Sequence, residues 1–207
     1  VAELAIVHIL LESCIDNDQE ANKTPPLVVY VSPLKSLCQE RASIWNQRFK
    51  EIPEFTNVDI IELTSDTQSA FPKKVKNPTI ICTTPEKLDL ATRSMKSSSE
   101  QLSKTIQKRH KNSESFDQLS LVIFDEVHNM SDTRGAVLEA VMSRILFISD
   151  RKSFIQSQEE KKIRVIALSA TIRNYEDFKQ WLKVKHNTIF DDSYRSTKID
   201  TRIFGYS

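Results

Sequence analysis

Five short runs of apolar, β-prone residues govern what this 207-residue chain can fold into. They occupy residues 27–31, 58–63, 79–82, 121–124 and 164–168. Several are continuous rather than alternating. Leu27-Val28-Val29-Tyr30-Val31 and Leu121-Val122-Ile123-Phe124 leave no polar face for solvent. Strands written this way are covered on both sides, as in a parallel sheet between helices. The stretches between them carry helical patterns, over residues 34–50, 85–95, 136–148 and 175–183. That alternation predicts an α/β fold: a doubly wound, mostly parallel sheet flanked by helices.

Residues 2–12 are apolar on nearly every face (Leu4, Ile6, Val7, Ile9, Leu10, Leu11), which predicts a helix buried all round. It starts with no capping residue, so Val1 reads as an internal position of a longer natural chain. Residues 16–26 are polar and end in two prolines, a loop into the first strand. Residues 93–115 are rich in Ser and Lys. Leu102 and Ile106 permit a short surface helix there, and its charge run reads as a solvated face. Residues 150–162 form a second polar excursion. Asn174, with Asp177 three residues on, resembles a helix capping box. Residues 188–207 read as a linker leaving the domain.

Composition narrows the functional classes. A formal net charge of +1 provides no global basic field, so any nucleic-acid contact must use a local patch or backbone amides. The cysteines Cys14, Cys38 and Cys82 are odd in number and lack metal-ligand spacing, which fits a reducing compartment. No apolar run approaches the roughly 18 residues needed to span a membrane, and nothing at the start reads as a signal peptide. Glycine is scarce: Gly135 and Gly205 are the only two. A phosphate-cradling loop of the form G-x-x-x-x-G-K-[ST] needs glycines for close backbone approach, and nothing before residue 135 can build one.

Asp125-Glu126-Val127-His128 ends the fourth apolar run. The carboxyl ends of strands are where an open α/β sheet presents its ligand site. A carboxylate there can hold magnesium through its water shell, and a second can polarise an attacking water. The pair therefore points to nucleoside triphosphate hydrolysis. Other strand ends are polar too. Ser169-Ala170-Thr171 offers hydroxyls that can bond a neighbouring histidine or carboxylate. Ser32-Pro33-Leu34-Lys35-Ser36-Leu37 combines a hydroxyl, a helix N-terminus and a lysine, which suits a phosphate. Thr83-Thr84-Pro85-Glu86-Lys87 opens a helix at a proline, and Thr64-Ser65-Asp66 follows a strand. Each alone reads as an ordinary strand-to-helix turn. Together they lie on one edge of a parallel sheet, as a motor-like site would.

The ordered set resembles the first RecA-like domain of superfamily-two helicases, in the Ski-two-like DExH branch. The residues carrying the resemblance are Ser32 to Leu37, Glu62-Leu63-Thr64-Ser65-Asp66, Thr83 to Lys87, Asp125 to His128, Arg134-Gly135 and Ser169-Ala170-Thr171. Within that branch the chain is similar to meiotic crossover DNA helicases of the Mer-three/HFM type. The resemblance implies a RecA-like fold of the P-loop NTPase type, with residues 1–190 as the ATP-binding domain, cut before Val1. Residues 191–207 would lead into a second RecA-like domain. It implies ATP and Mg2+ as cofactors. Asp125 would hold magnesium through water, Glu126 would activate the hydrolytic water, and His128 would connect the nucleotide site to Ser169 and Thr171. Ser32, Pro33, Lys35, Thr64, Asp66, Thr83, Thr84, Lys87 and Arg134 would line the nucleic-acid path, with DNA favoured over RNA. The partners implied are nucleic acid and the second RecA-like domain, with no membrane, in the nucleus. The family carries Gly where Ser65 stands and Pro where Ser196 stands.

The expected function is therefore part of an ATP-dependent helicase, inactive as an isolated chain. Two other readings fit the residues less well. A catalytically inactive RecA-like scaffold has no need of both Asp125 and Glu126 beside a histidine. A metal hydrolase using His128 lacks a second histidine at ligand spacing.

Overall fold

The computed structural model describes residues 1–16, 24–93, 114–133, 135–156, 162–172, 174–197, 200 and 202–205. The chain separates into two units, Val1–Thr171 and Ile172–Ser207.

The first unit is built on a five-stranded, wholly parallel sheet in the order β2-β3-β1-β4-β5. The strands are β1 (Leu27–Val31), β2 (Asp59–Leu63), β3 (Thr79–Thr83), β4 (Leu119–Phe124) and β5 (Arg164–Ala167). Helices α1 (Ala2–Asp16), α2 (Lys35–Lys50), α3 (Pro85–Arg93), α4 (Glu114–Asp117) and α5 (Gly135–Gln156) connect or precede them. β1 and β3 are buried along their whole length, as their unbroken apolar sequences require. From β1, α2 leads outward to β2, whereas α3 and α5 lie on connections running the other way, toward β4 and β5. Right-handed crossovers therefore place α2 on one face and α3 with α5 on the other.

Strand alternation divides the core accordingly. Val28 and Tyr30, Ile80 and Cys82, and Leu121 and Ile123 share one face. They cluster with Ala5, Ile6 and Leu10 of α1 and with Cys38, Trp45 and Phe49 of α2. Each such fully buried aliphatic or aromatic side chain contributes about 1.5–3 kcal/mol. Leu27, Val29, Val31, Ile81, Val122 and Phe124 are buried on the other face. The two outer strands differ from these: β2 is partly exposed, and β5 has no strand partner on its outer side among the described residues.

Several expectations change. α1 is not buried all round, because it lies on one face of the sheet: Leu4 is 75% and Leu11 42% exposed. β4 begins at Leu119, two residues before its continuous apolar run. The polar excursion at 150–162 is helical as far as Gln156, since nothing between 136 and 156 (no Gly, no Pro) interrupts α5. Residues 94–113, with the helix expected around Leu102 and Ile106, lie outside the described residues.

In the second unit, α6 (Tyr175–Trp181) follows Asn174, whose side chain makes no capping hydrogen bond. Its ψ of 45° departs from the extended backbone that turns a cap residue toward the first free N–H groups.

Candidate functional site

Parallel pairing brings the carboxyl ends of all five strands to one edge. Ser32 follows β1, Thr64 follows β2, Thr83 ends β3 and Thr84 follows it, Asp125 and Glu126 follow β4, and Leu168 to Thr171 follow β5. Backbone bonds continue past the strands and fix these ends to one another. Asp125 N–H donates to Val31 C=O (2.8 Å), Ser32 N–H to Thr83 C=O (3.0 Å) and Val127 N–H to Leu168 C=O (3.0 Å).

Asp125 is held at both carboxylate oxygens. Its Oδ1 accepts the Glu126 N–H at 3.0 Å, and its Oδ2 accepts the Tyr30 hydroxyl. Burial, then the bond to Asp125, raises the Tyr30 pKa well above the ordinary phenol range, so the hydroxyl stays protonated and donates. Glu126 itself has left-handed backbone angles, φ 55° and ψ 43°, which cost a side-chain-bearing residue energy. A 3-10 turn, Val127–Ser131, follows at once. Gly135 then begins α5 in close contact with that turn: a Cβ at Gly135 would lie 1.8 Å from the Met130 carbonyl oxygen. No larger residue fits without moving the turn that carries His128.

His128 faces two groups through one nitrogen. Its Nδ1 lies 3.2 Å from Glu126 Oε2 and accepts the Ala170 N–H at 3.3 Å. The link to the segment after β5 thus runs through the Ala170 amide, while Ser169 and Thr171 are exposed on either side of it. Sequence reasoning missed Ala170, because a backbone donor leaves no mark in residue type. It also missed Tyr30, for which a signal existed: a phenol inside an otherwise aliphatic buried run needs a hydrogen-bond partner.

The candidate nucleic-acid residues divide by burial. Lys35 and Asp66 are exposed, and Pro33 and Lys87 are partly exposed. Ser32, Thr64, Thr83 and Thr84 are buried. Thr83 Oγ1 donates to Leu63 C=O (2.7 Å) and braces the ends of β3 and β2, while Thr64 Oγ1 donates to Glu62 Oε1 (3.0 Å) within its own strand end. Lys35 Nζ donates to Asp66 Oδ1 (2.7 Å) and Lys87 Nζ to Thr67 C=O (3.1 Å). The two ammonium groups are thereby anchored on the turn after β2. Ser65 does not have positive φ, so that turn does not need the family's glycine. Arg134 lies outside the described residues. Cys38 and Cys82 are buried, and burial pushes the Cys38 thiol up to about 12, which makes it an inert core group.

Comparison with known proteins shows the family. Residues 1–178 match the family described as DEAD/DEAH box helicase. The chain is 36% identical over 181 residues to the ATP-dependent DNA helicase homolog MER3 of Arabidopsis thaliana, covering 86% of this chain and 14% of that protein. It is 33% identical over 210 residues to the ATP-dependent DNA helicase MER3 of Saccharomyces cerevisiae, covering 99% and 15%. Human activating signal cointegrator 1 complex subunit 3 is 32% identical over 208 residues, 99% of this chain and 8% of that protein. The chain therefore spans about a seventh or less of these relatives. Among solved structures, the DUF1998 helicase MrfA bound to DNA and AMPPNP superposes with a TM-score of 0.54 at 22% identity, covering 88% of this chain and 22% of that one. That likeness supports the RecA-like α/β fold. With the family match extending from α1 through the carboxylates to the segment after β5, the chain belongs to the DEAD/DEAH box helicases.

Proposed function

We propose that the protein containing this chain hydrolyses ATP and uses the energy to move along and unwind nucleic acid, DNA in preference to RNA. The observation that carries the reading is His128 Nδ1 lying between Glu126 Oε2 and the Ala170 amide. The preference for DNA, and a nuclear, meiotic role, rest on the Mer-three/HFM resemblance. Residues 1–190 serve as the first RecA-like domain and residues 191–207 lead to the second.

The donor set fits magnesium. Asp125 offers a partly exposed, fixed carboxylate at the strand end, and magnesium commonly uses one or two carboxylates, with water and phosphate completing its shell. Bound there with nucleotide, the ion would offset charge on the reacting phosphates. Asp125 would hold the ion through water. Glu126, with its side chain 42% exposed, orients the attacking water and takes its proton. As a carboxylate, Glu126 only accepts hydrogen bonds, so it does not compete with the Ala170 N–H that His128 Nδ1 accepts. Once protonated, Glu126 becomes a donor and competes with the Ala170 N–H for that lone pair. Proton transfer at the nucleotide thus changes the hold on residues 169–171. Pro33, Lys35 and Lys87, on the same edge, serve the nucleic-acid backbone.

The test uses the full-length protein. Glu126→Gln is expected to lower single-stranded-DNA-stimulated ATP turnover by about 10²–10⁴-fold. Near-normal turnover in that variant would remove Glu126 from the chemistry. Equal stimulation by single-stranded RNA would overturn the preference for DNA.

A further inference from the structure

The Tyr30 hydroxyl is out of keeping with its strand. β1 is completely buried, and Tyr30 is 1% exposed. A phenylalanine would fill the same volume without the cost of burying a hydroxyl. The hydroxyl donates to Asp125 Oδ2, 95 residues away in sequence, and Arg41 of α2 also bonds the Tyr30 oxygen. The other carboxylate oxygen is taken by the Glu126 N–H, and Asp125's own N–H by Val31. A backbone amide and a side-chain hydroxyl therefore fix the plane of the Asp125 carboxylate.

The ring that carries the hydroxyl is itself fixed. It meets Trp45 of α2 edge to face, with centroids 5.1 Å apart and planes at 81°. Trp45 stacks on Phe49 at 6.5 Å, and Phe49 meets Phe55 at 5.8 Å. This aromatic row is buried throughout. α2 begins at Lys35, on the edge assigned to nucleic acid. A displacement of α2 along the sheet would reach the carboxylate through Trp45 and Tyr30.

We propose that Tyr30 is a positioning residue for the nucleotide's metal ion, acting through Asp125 and seated by Trp45 of α2. The inference rests on the assignment of Asp125 to magnesium. Groups that hydrogen-bond a metal-holding carboxylate set its orientation and basicity, and their loss commonly weakens metal binding 10–100-fold. Here the carboxylate acts through water, which places the effect at the lower end of that range.

In the full-length protein, Tyr30→Phe keeps the ring and removes the hydroxyl. Binding of Mn2+ in the presence of AMPPNP, followed by the EPR signal of free Mn2+, is expected to weaken about tenfold. On an Asp125→Asn background the same substitution is expected to add nothing further. Unchanged Mn2+ binding in Tyr30→Phe, or an equal loss on both backgrounds, would overturn the proposal and leave Tyr30 a packing residue. A wild-type protein that binds no Mn2+ with AMPPNP would instead sink the nucleotide-site reading beneath it. A second measurement needs no destabilising change: 3-fluorotyrosine at position 30 is expected to shift its 19F resonance when Mg2+ and AMPPNP are added together. No shift would likewise overturn the proposal.

Discussion

At the scale of single residues, the site is built at some expense to stability. Glu126 keeps a left-handed backbone that only glycine adopts freely, and it does so at the position proposed for the hydrolytic carboxylate. Glu126→Gly should therefore raise folding stability by about 1 kcal/mol, net of the extra freedom glycine gives the unfolded chain, while abolishing hydrolysis. Urea unfolding of the variant checks this, and a lower midpoint would show that the conformation carries no strain. The exposed Glu126–His128 approach is worth too little to mask the effect. Carboxylates at a strand end were legible in the sequence because charge directly after an apolar run is conspicuous. The left-handed turn was not, since glutamate does not advertise it. Nor was the role of Thr83, whose hydroxyl serves the end of the neighbouring strand because the parallel register pairs it with Leu63.

At the scale of elements, α3 and α5 are joined by a buried charge cluster. Asp89 on α3, with its side chain 8% exposed, accepts from Arg144 of α5 (2.9 Å) and Arg93 (2.7 Å). Arg144 also donates to Thr92 Oγ1 at 2.6 Å. Burial works to raise the Asp89 pKa, but hydrogen bonds from the two arginines outweigh it and hold the value below the usual carboxylate range. The contribution to stability is complete above the unfolded aspartate value, about 3.9, and is lost as pH falls through the lower folded value. Asp89→Asn is expected to cost about 2 kcal/mol at pH 7, less than a wholly buried pair because Arg93 is largely exposed. The gap from wild type should narrow below pH 4 in urea titrations. A gap independent of pH would assign the loss to packing. The proline at its start made α3 legible, but not this clamp: Asp89 and Arg144 are 55 residues apart, and helical periodicity says nothing about which helices meet.

At the scale of the molecule, one topological fact produces the site: five parallel strands end on the same side. That much followed from continuous apolar runs separated by helical patterns, because parallel strands need crossovers. Strand order did not follow, since the sequence carries no record of which neighbours pair. The order has a further consequence at the sheet's two margins. β2 defends its margin with Asp59 and Glu62, charges that discourage another strand from adding on. β5 has Arg164 at its start and then Val165, Ile166 and Ala167, with its outer N–H and C=O groups facing no strand among the described residues. Alone in solution, this chain is expected to form edge-to-edge oligomers through β5. Sedimentation velocity should show association that rises with concentration, and Val165→Lys should suppress it. A monomeric chain at high concentration would show that the margin is already covered. Where association is seen, the strand that leads into residues 169–171 doubles as a place where one copy of the chain templates the next.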